Sequence, residues 1–297
     1  LSATGFALIE TLNSPLRKRT FLMKSLIALL TGAAVIVAAP VLAQNANSAL
    51  ETALASETRD EDRARDAFRH PVETLNFFQV KPEHTVVEYA PGGGWYTRLL
   101  VPYIATSGRY LAMNGDSDAR IYRDRASEAR TKGWTERFPE AAAEWTGMPV
   151  EKITAFESDE VPEDVAGQVD RVVIFRSMHG LLNGNRADAE LRAVRGLLKD
   201  DGMVGVVQHR AKADAPWEIS HGTRGYLKQA QVIALFELHG FELVGASEVN
   251  ANPKDPANWD GGVWTLPPIL RYGDENRPQY EAIGESDRMT LLFRKAN

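Results

Sequence analysis

Seven short apolar runs punctuate the chain, at residues 85–89, 109–114, 152–156, 169–176, 203–209, 241–249 and 288–294. Each is rich in β-branched, aromatic or other apolar residues, as strands are. The fourth, with Val169, Val172, Val173, Ile174 and Phe175, has the near-continuous apolar character of a strand covered on both faces. Helical segments lie between the runs. Residues 57–69 form a heavily charged stretch, expected as a surface helix with solvated charges. A second helix starts at Pro71 and carries Leu75, Phe77, Phe78 and Val80. Further helices are expected through Arg98-Leu99-Leu100-Val101, over 118–145 with interruptions at Gly133 and Pro139, over 191–198 with a stop and turn at Lys199-Asp200-Asp201-Gly202, and over 228–239, closed by Gly240. Five strands alternating with helices predict an α/β fold, a doubly wound, mostly parallel sheet of seven strands. The last two strands are separated by residues 250–285, which carry Pro, Asn and Trp but little periodicity, so the final strand is expected to return antiparallel.

The first strand ends in a carboxylate and a glycine-rich turn, Glu88-Tyr89-Ala90-Pro91-Gly92-Gly93-Gly94, and then a helix begins. Glycine lets the backbone approach a ligand closely, and amides at a helix start favour an anionic or electron-rich group. A dinucleotide fingerprint would need Gly-x-Gly-x-x-Gly and an acid after the second strand. Thr97 breaks the spacing and Asn114 stands where the acid would be, so a nicotinamide enzyme is disfavoured.

Composition narrows the function classes. The 297 residues carry a formal net charge of -6 with 44% hydrophobic content, which argues against a general nucleic-acid binder. No cysteine is present, which excludes a disulfide framework and thiolate metal sites. Residues 1–43 read as a leader. Lys24 precedes an apolar run over 26–39, and Val41 and Ala43 suit cleavage before Gln44, with Met23 as the expected start of translation. The run is shorter than the roughly 20 residues of a spanning helix, so no membrane anchor is expected after cleavage, and the mature chain is expected outside the cytosol, in a periplasm. Residues 44–57 are expected to be a flexible leader and 58–297 one domain.

Over residues 58–296 the chain resembles the class I S-adenosylmethionine-dependent methyltransferases. The resemblance rests on Val86-Val87-Glu88 with Gly92 and Gly94, on Gly108-Arg109-Tyr110-Leu111-Ala112-Met113-Asn114, on Asp170-Arg171-Val172-Val173-Ile174-Phe175, and on Leu197-Leu198-Lys199-Asp200-Asp201-Gly202 leading into the fifth strand. The chain also resembles a narrower group of exported methyltransferase-like proteins through Asp62-Arg63, Arg69-His70-Pro71, Pro91-Gly92-Gly93-Gly94-Trp95-Tyr96 and Val263-Trp264-Thr265-Leu266-Pro267-Pro268. The family resemblance implies the strand order 3-2-1-4-5-7-6, S-adenosylmethionine as cofactor and a small-molecule acceptor. It implies that Glu88, Ala90, Gly92, Gly93 and Gly94 face the methionine end of the cofactor. Ala90 replaces the first glycine of the family pattern, and Pro91 removes an amide. Asn114, with Asp116 two residues on, takes the ribose position, and Glu157 or, preferred, Asp159 takes the adenine position.

Methyl transfer asks the protein to orient a nucleophile and, for some acceptors, to take a proton. The ends of the fourth and fifth strands supply Arg176-Ser177-Met178-His179 and Gln208-His209-Arg210. His179 is the first candidate base, and His209 with Arg210 are candidates for an anionic substrate. Trp95 and Tyr96 either wall the cofactor or pack at the helix start. Residues 259–268 either cover the site or brace the sheet edge. The spacings of His179, His209 and His221 match no metal-ligand motif, so no metal is expected. Because S-adenosylmethionine is made in the cytosol, an exported, non-catalytic small-molecule binding protein on the same fold is the alternative.

Overall fold

The computed structural model describes residues 48–296. The leader assigned to residues 1–43 lies outside these. Seven strands form one sheet: β1 (Thr85–Tyr89), β2 (Arg109–Asn114), β3 (Ile153–Glu157), β4 (Val169–Phe175), β5 (Leu198–His209), β6 (Phe241–Ser247) and β7 (Arg288–Lys295). Their order is β3-β2-β1-β4-β5-β7-β6. β1 through β5 pair in parallel, and β7 runs antiparallel to both β5 and β6. This is the α/β doubly wound, mostly parallel sheet with an antiparallel last strand that the pattern predicts.

Register decides what meets at the functional edge. β1 pairs Tyr89 with Met113 and with Ile174, so the carboxyl ends of β1, β2 and β4 finish side by side. Open α/β sheets bind ligands at this edge. The antiparallel partner adds to it: His209 pairs with Arg288, so β7 begins where β5 ends. Glu285, Ser286 and Asp287, just before β7, are thereby brought to the edge as well.

The two faces of the sheet bury separate clusters, as the period-2 alternation of strand side chains requires. Val87, Tyr89, Val172 and Ile174 point to one face, covered by α1 (Ala187–Leu197) and α2 (Gln229–Leu238) through Leu191, Val194, Val232 and Phe236. Val86, Val173 and Phe175 point to the other, covered through Leu99, Leu100, Tyr103 and Ile104 by the helix Thr97–Ile104. Among the described residues no helix is long and apolar enough to cross a membrane.

Four local expectations change. Residues 48–54 are helical, with Leu50 and Ala53 buried in the second cluster, so packed structure begins inside the stretch expected to be a flexible leader. The 57–69 stretch is not a solvated helix. It is two 3-10 turns, Glu57–Arg59 and Arg63–Arg65, followed by a single helical turn, Asp66–Arg69. Arg59 is 0% and Arg69 3% exposed; both guanidinium groups lie over the Trp95 ring, at 5.1 and 4.5 Å. Apart from a 3-10 turn, Val150–Lys152, just before β3, the insert between β2 and β3 is α-helical only over Arg125–Lys132 and Trp134–Thr146. Gly133 does separate these, but Pro139 lies within the second, which is held down by Phe138 between Trp134 and Trp145. The Lys199–Gly202 run, expected as a turn, belongs to β5 and is absorbed by a register irregularity against Val169 and Arg171 of β4. Gly202 permits that approach, because a Cβ there would stand 2.8 Å from the Val169 carbonyl oxygen.

Candidate active site

The loop after β1 is shaped by three left-handed residues, Ala90 (φ +50°), Gly92 (+62°) and Gly94 (+76°). Ala90 is still tied to β2, its N–H donating to Met113 O at 2.8 Å. Gly94 could not be another residue: beyond its φ, a Cβ would lie 2.4 Å from the Trp145 ring. Arg98 clamps the loop, donating to Gly93 O at 3.0 Å and to both oxygens of Asp62 at 2.6 and 2.8 Å. The N–H groups of Gly92 and Gly93 make no hydrogen bond among the described residues. They are free donors at the mouth of the site.

Glu88 lies beneath this loop and is 2% exposed. Its Oε2 accepts from Thr97 Oγ1 at 2.8 Å and from Tyr110 Oη at 2.7 Å. Burial raises its pKa to about 7, against the opposing pull of those two bonds and of Arg176 and Arg98. The carboxyl is therefore poised to ionise when a cation arrives.

The end of β4 faces the loop. Phe175 stacks on Tyr96 with ring centroids 3.4 Å apart. Arg176 follows at φ +57°. His179 stands on the short helix Met178–Asn183, with its Nδ1 3.4 Å from Gln208 Nε2. Its ring is 5.9 Å from that of His209 and 5.9 Å from that of Trp264. Burial lowers the pKa of His179, and lowers that of His209 further with help from the neighbouring charges of His179, Arg288 and Arg176. Both rings are neutral near pH 7. His209 Nδ1 lies 2.6 Å from Ser286 Oγ.

These groups enclose a cavity of about 380 Å³. Glu88, Ala90, Gly92, Gly93, His179 and His209 line it, as do Trp95 and Tyr96. Val263, Trp264, Pro267 and Pro268 form a wall, so the 259–268 stretch covers the site. A neighbouring cavity of about 290 Å³ shares Ala90, Arg176, Ser177 and His179 with the first and reaches Asn114. Asn114 Oδ1 accepts from Arg120 Nη2 at 3.4 Å and from the N–H of Gly115.

Other candidates lie elsewhere. Gly94 is behind the loop against Trp145 and does not line the cavity. Arg210 is outside it: its guanidinium is held by Asp287 at 3.1 Å and by Glu248 at 2.7 and 2.8 Å, which corrects its expected role in substrate binding. Asp116 uses Oδ1 to accept from the N–H groups of Asp118 and Ala119. Asp159 is exposed, and its neighbour Glu157 accepts from the Ser117 N–H at 2.7 Å. Neither Asp116 nor Asp159 lines either cavity, although the carboxylates of Asp116, Glu157 and Asp159 lie within 4.8 Å of one another. His221 lies against Trp217 and within 3.2 Å of Thr223 Oγ1.

Sequence reasoning gave no site role to Arg65, Arg69, Arg98, Glu285 and Ser286, all of which line the larger cavity, although Arg69 stood in one of the quoted motifs. The available signal was the crowding of arginine over 59–69 in a segment without an apolar face.

No family model matches the chain, and no curated protein matches it. Among solved structures, an S-adenosylmethionine-dependent methyltransferase from Aquifex aeolicus is 15% identical, with 63% of this chain and 87% of that one covered at a TM-score of 0.45. A 1,6-didemethyltoxoflavin-N1-methyltransferase from Burkholderia thailandensis, solved with 1,6-didemethyltoxoflavin and S-adenosylhomocysteine, is 12% identical over 91% of this chain and 94% of that one, with a TM-score of 0.46. The [4+2]-cyclase SpnF is 14% identical over 77% and 80%, also at 0.46. The fold class rests on the strand order and register of this chain itself.

Proposed function

We propose that this chain transfers the methyl group of S-adenosylmethionine to a small-molecule acceptor held in the larger cavity. The observation that carries the reading is the placement of Glu88. A buried carboxyl at the end of the first parallel strand, under a loop with open Gly92 and Gly93 amides, offers one partner for an ammonium and another for a carboxylate. An amino-acid end of a ligand needs both. The fit extends along the sheet edge: the second cavity reaches Asn114, whose amide Nδ2 is a donor for a ribose hydroxyl. Asp159, exposed beyond Asn114, and Asp116 are retained as adenine-side and ribose-side candidates.

The cofactor supplies an electrophilic methyl group on sulfur. The chain's own residues do the rest. Trp95, Tyr96 and Phe175 give the cavity an aromatic wall. Trp264 and Pro267 add to that wall from the 259–268 stretch. His179 is neutral and lines both cavities, so it is placed to accept the proton that the acceptor loses. His209, fixed by Ser286, confines the ring of His179 from behind. Gly94 and Arg98 hold the loop in place, Arg98 from the cavity wall itself.

Calorimetric titration of the purified chain with S-adenosylmethionine tests the reading. Saturable binding that is weakened by Glu88→Ala is expected, and absence of heat at millimolar ligand refutes it. Export through residues 1–43 is part of the same proposal. A fusion of that segment to a reporter active only outside the cytosol is expected to be active, and a silent reporter rules export out.

A further inference from the structure

Arg65, Arg69, Arg98 and Arg176 all line the larger cavity. Asp62 satisfies Arg98. Glu285 receives Arg65 at 2.7 Å, Arg69 at 3.1 Å and Arg288 at 2.9 Å, so a single carboxylate answers three guanidinium groups. Two donors are left over. Arg69 Nη1 and Arg176 Nη1 are buried and have no partner among the described residues. Arg69 is also immobile: it is 3% exposed, lies 4.5 Å over the Trp95 ring and is tethered through Nε to Glu285.

Arg176 is the more telling of the two. It makes no ion pair among the described residues, and its backbone is left-handed at φ +57°. A buried guanidinium nitrogen without an acceptor and a strained backbone each cost free energy, although the Arg176 residue as a whole is only partly buried. Glu285 and Tyr96 offset part of the guanidinium charge at a distance, but among the described residues no group accepts a hydrogen bond from Arg176 Nη1. The other cavity carboxyl, Glu88, is already engaged with Thr97 and Tyr110. The cavity thus keeps an excess of positive charge and planar N–H donors, the arrangement that receives a carboxylate or phosphate.

Resting on the methyl-transfer reading above, we infer that the acceptor carries a carboxylate or phosphate group, bound between Arg69 and Arg176. Arg69 comes from the N-terminal segment and does not line the cavity that reaches Asn114. The anion it holds therefore belongs to the acceptor side of the site, with His179 and Trp264 nearby.

Inorganic phosphate is the probe, titrated into the full chain while the intrinsic tryptophan fluorescence, to which Trp95 and Trp264 in the cavity wall contribute, is followed. Saturable binding is expected, and it is expected to persist with S-adenosylmethionine at saturation. Arg176→Gln and Arg69→Gln are each expected to weaken phosphate by about tenfold or more, the worth of one charged hydrogen bond. S-adenosylmethionine affinity should not change in Arg69→Gln, whose side chain does not line the cavity that reaches Asn114, whereas Arg176→Gln, at a residue that lines both cavities, serves as the fold control. That variant breaks no ion pair, so it should melt no lower than the parent without ligand, which separates loss of binding from loss of fold. Three results overturn the inference: no saturable phosphate signal, equal phosphate affinity in Arg176→Gln, or displacement of phosphate by S-adenosylmethionine, which would assign the arginines to the cofactor. Phosphate binding with the expected arginine dependence in a chain that takes no S-adenosylmethionine would keep the anion site and remove the methyl-transfer reading.

Discussion

Replacing Glu88 by glutamine gives the sharpest test of how the site is tuned. The carboxyl is 2% exposed, and its pKa is lifted from the ordinary 4.5 to about 7. At about 1.4 kcal/mol per tenfold, ionising it in the folded chain costs about 3 kcal/mol more than in the unfolded chain. The sign follows from proton counts. Between pH 4.5 and about 7 the folded state holds a proton that the unfolded state has lost, so this residue's contribution declines as pH rises through that window. Glutamine keeps the shape and an oxygen acceptor for Thr97 and Tyr110 but has no charge to bury. Glu88→Gln should match the parent near pH 4.5 and exceed it by about 2–3 kcal/mol above pH 8. Urea unfolding of both chains across that range measures the difference. His84, His179 and His209, whose lowered pKa values act in the opposite direction, are common to both chains and cancel. Parallel stability curves for parent and variant would refute the argument that burial dominates at Glu88. The same proton links to ligand. If binding an ammonium group ionises Glu88, affinity should climb with pH up to about 7 and then level off, and Glu88→Gln should flatten that rise.

Three further outcomes follow from the geometry. Gly94→Ala should lose about 2–4 kcal/mol in thermal or urea unfolding, because the new Cβ meets the Trp145 ring and the residue must hold a left-handed φ; an unchanged midpoint would mean that the loop is not confined. Arg210→Ala should destabilise by about 2–4 kcal/mol, since it strips the main partner from buried Asp287, while leaving ligand affinity intact. A loss of affinity without a loss of stability would return Arg210 to the site. Gly205→Ala should destabilise by about 1–3 kcal/mol, because a Cβ at this position would stand 2.4 Å from the Phe78 ring; urea unfolding should show that loss without any change in the pH dependence assigned to Glu88.

The pattern of apolar runs was enough to determine seven strands, their mostly parallel arrangement and the antiparallel return of the last, because each of these depends on local period and on the presence or absence of an intervening helix. Glu88 and its glycine loop were legible for the same reason: carboxylate, turn and helix start are neighbours in the chain. The role of the 57–69 segment was not. Its charges look solvated until Arg59 and Arg69 are laid over Trp95 and Arg65 and Arg69 meet Glu285, which is over 200 residues away. Arg210 misled in the opposite sense, since a cation next to a candidate histidine looks functional until Asp287 and Glu248 are seen to neutralise it. Burial and pairing are properties of three-dimensional neighbours. Sequence by itself determined the scaffold and the glycine-rich loop after its first strand; tertiary structure alone decided which charges are satisfied, and left Arg69 and Arg176 with donors that meet no partner among the described residues.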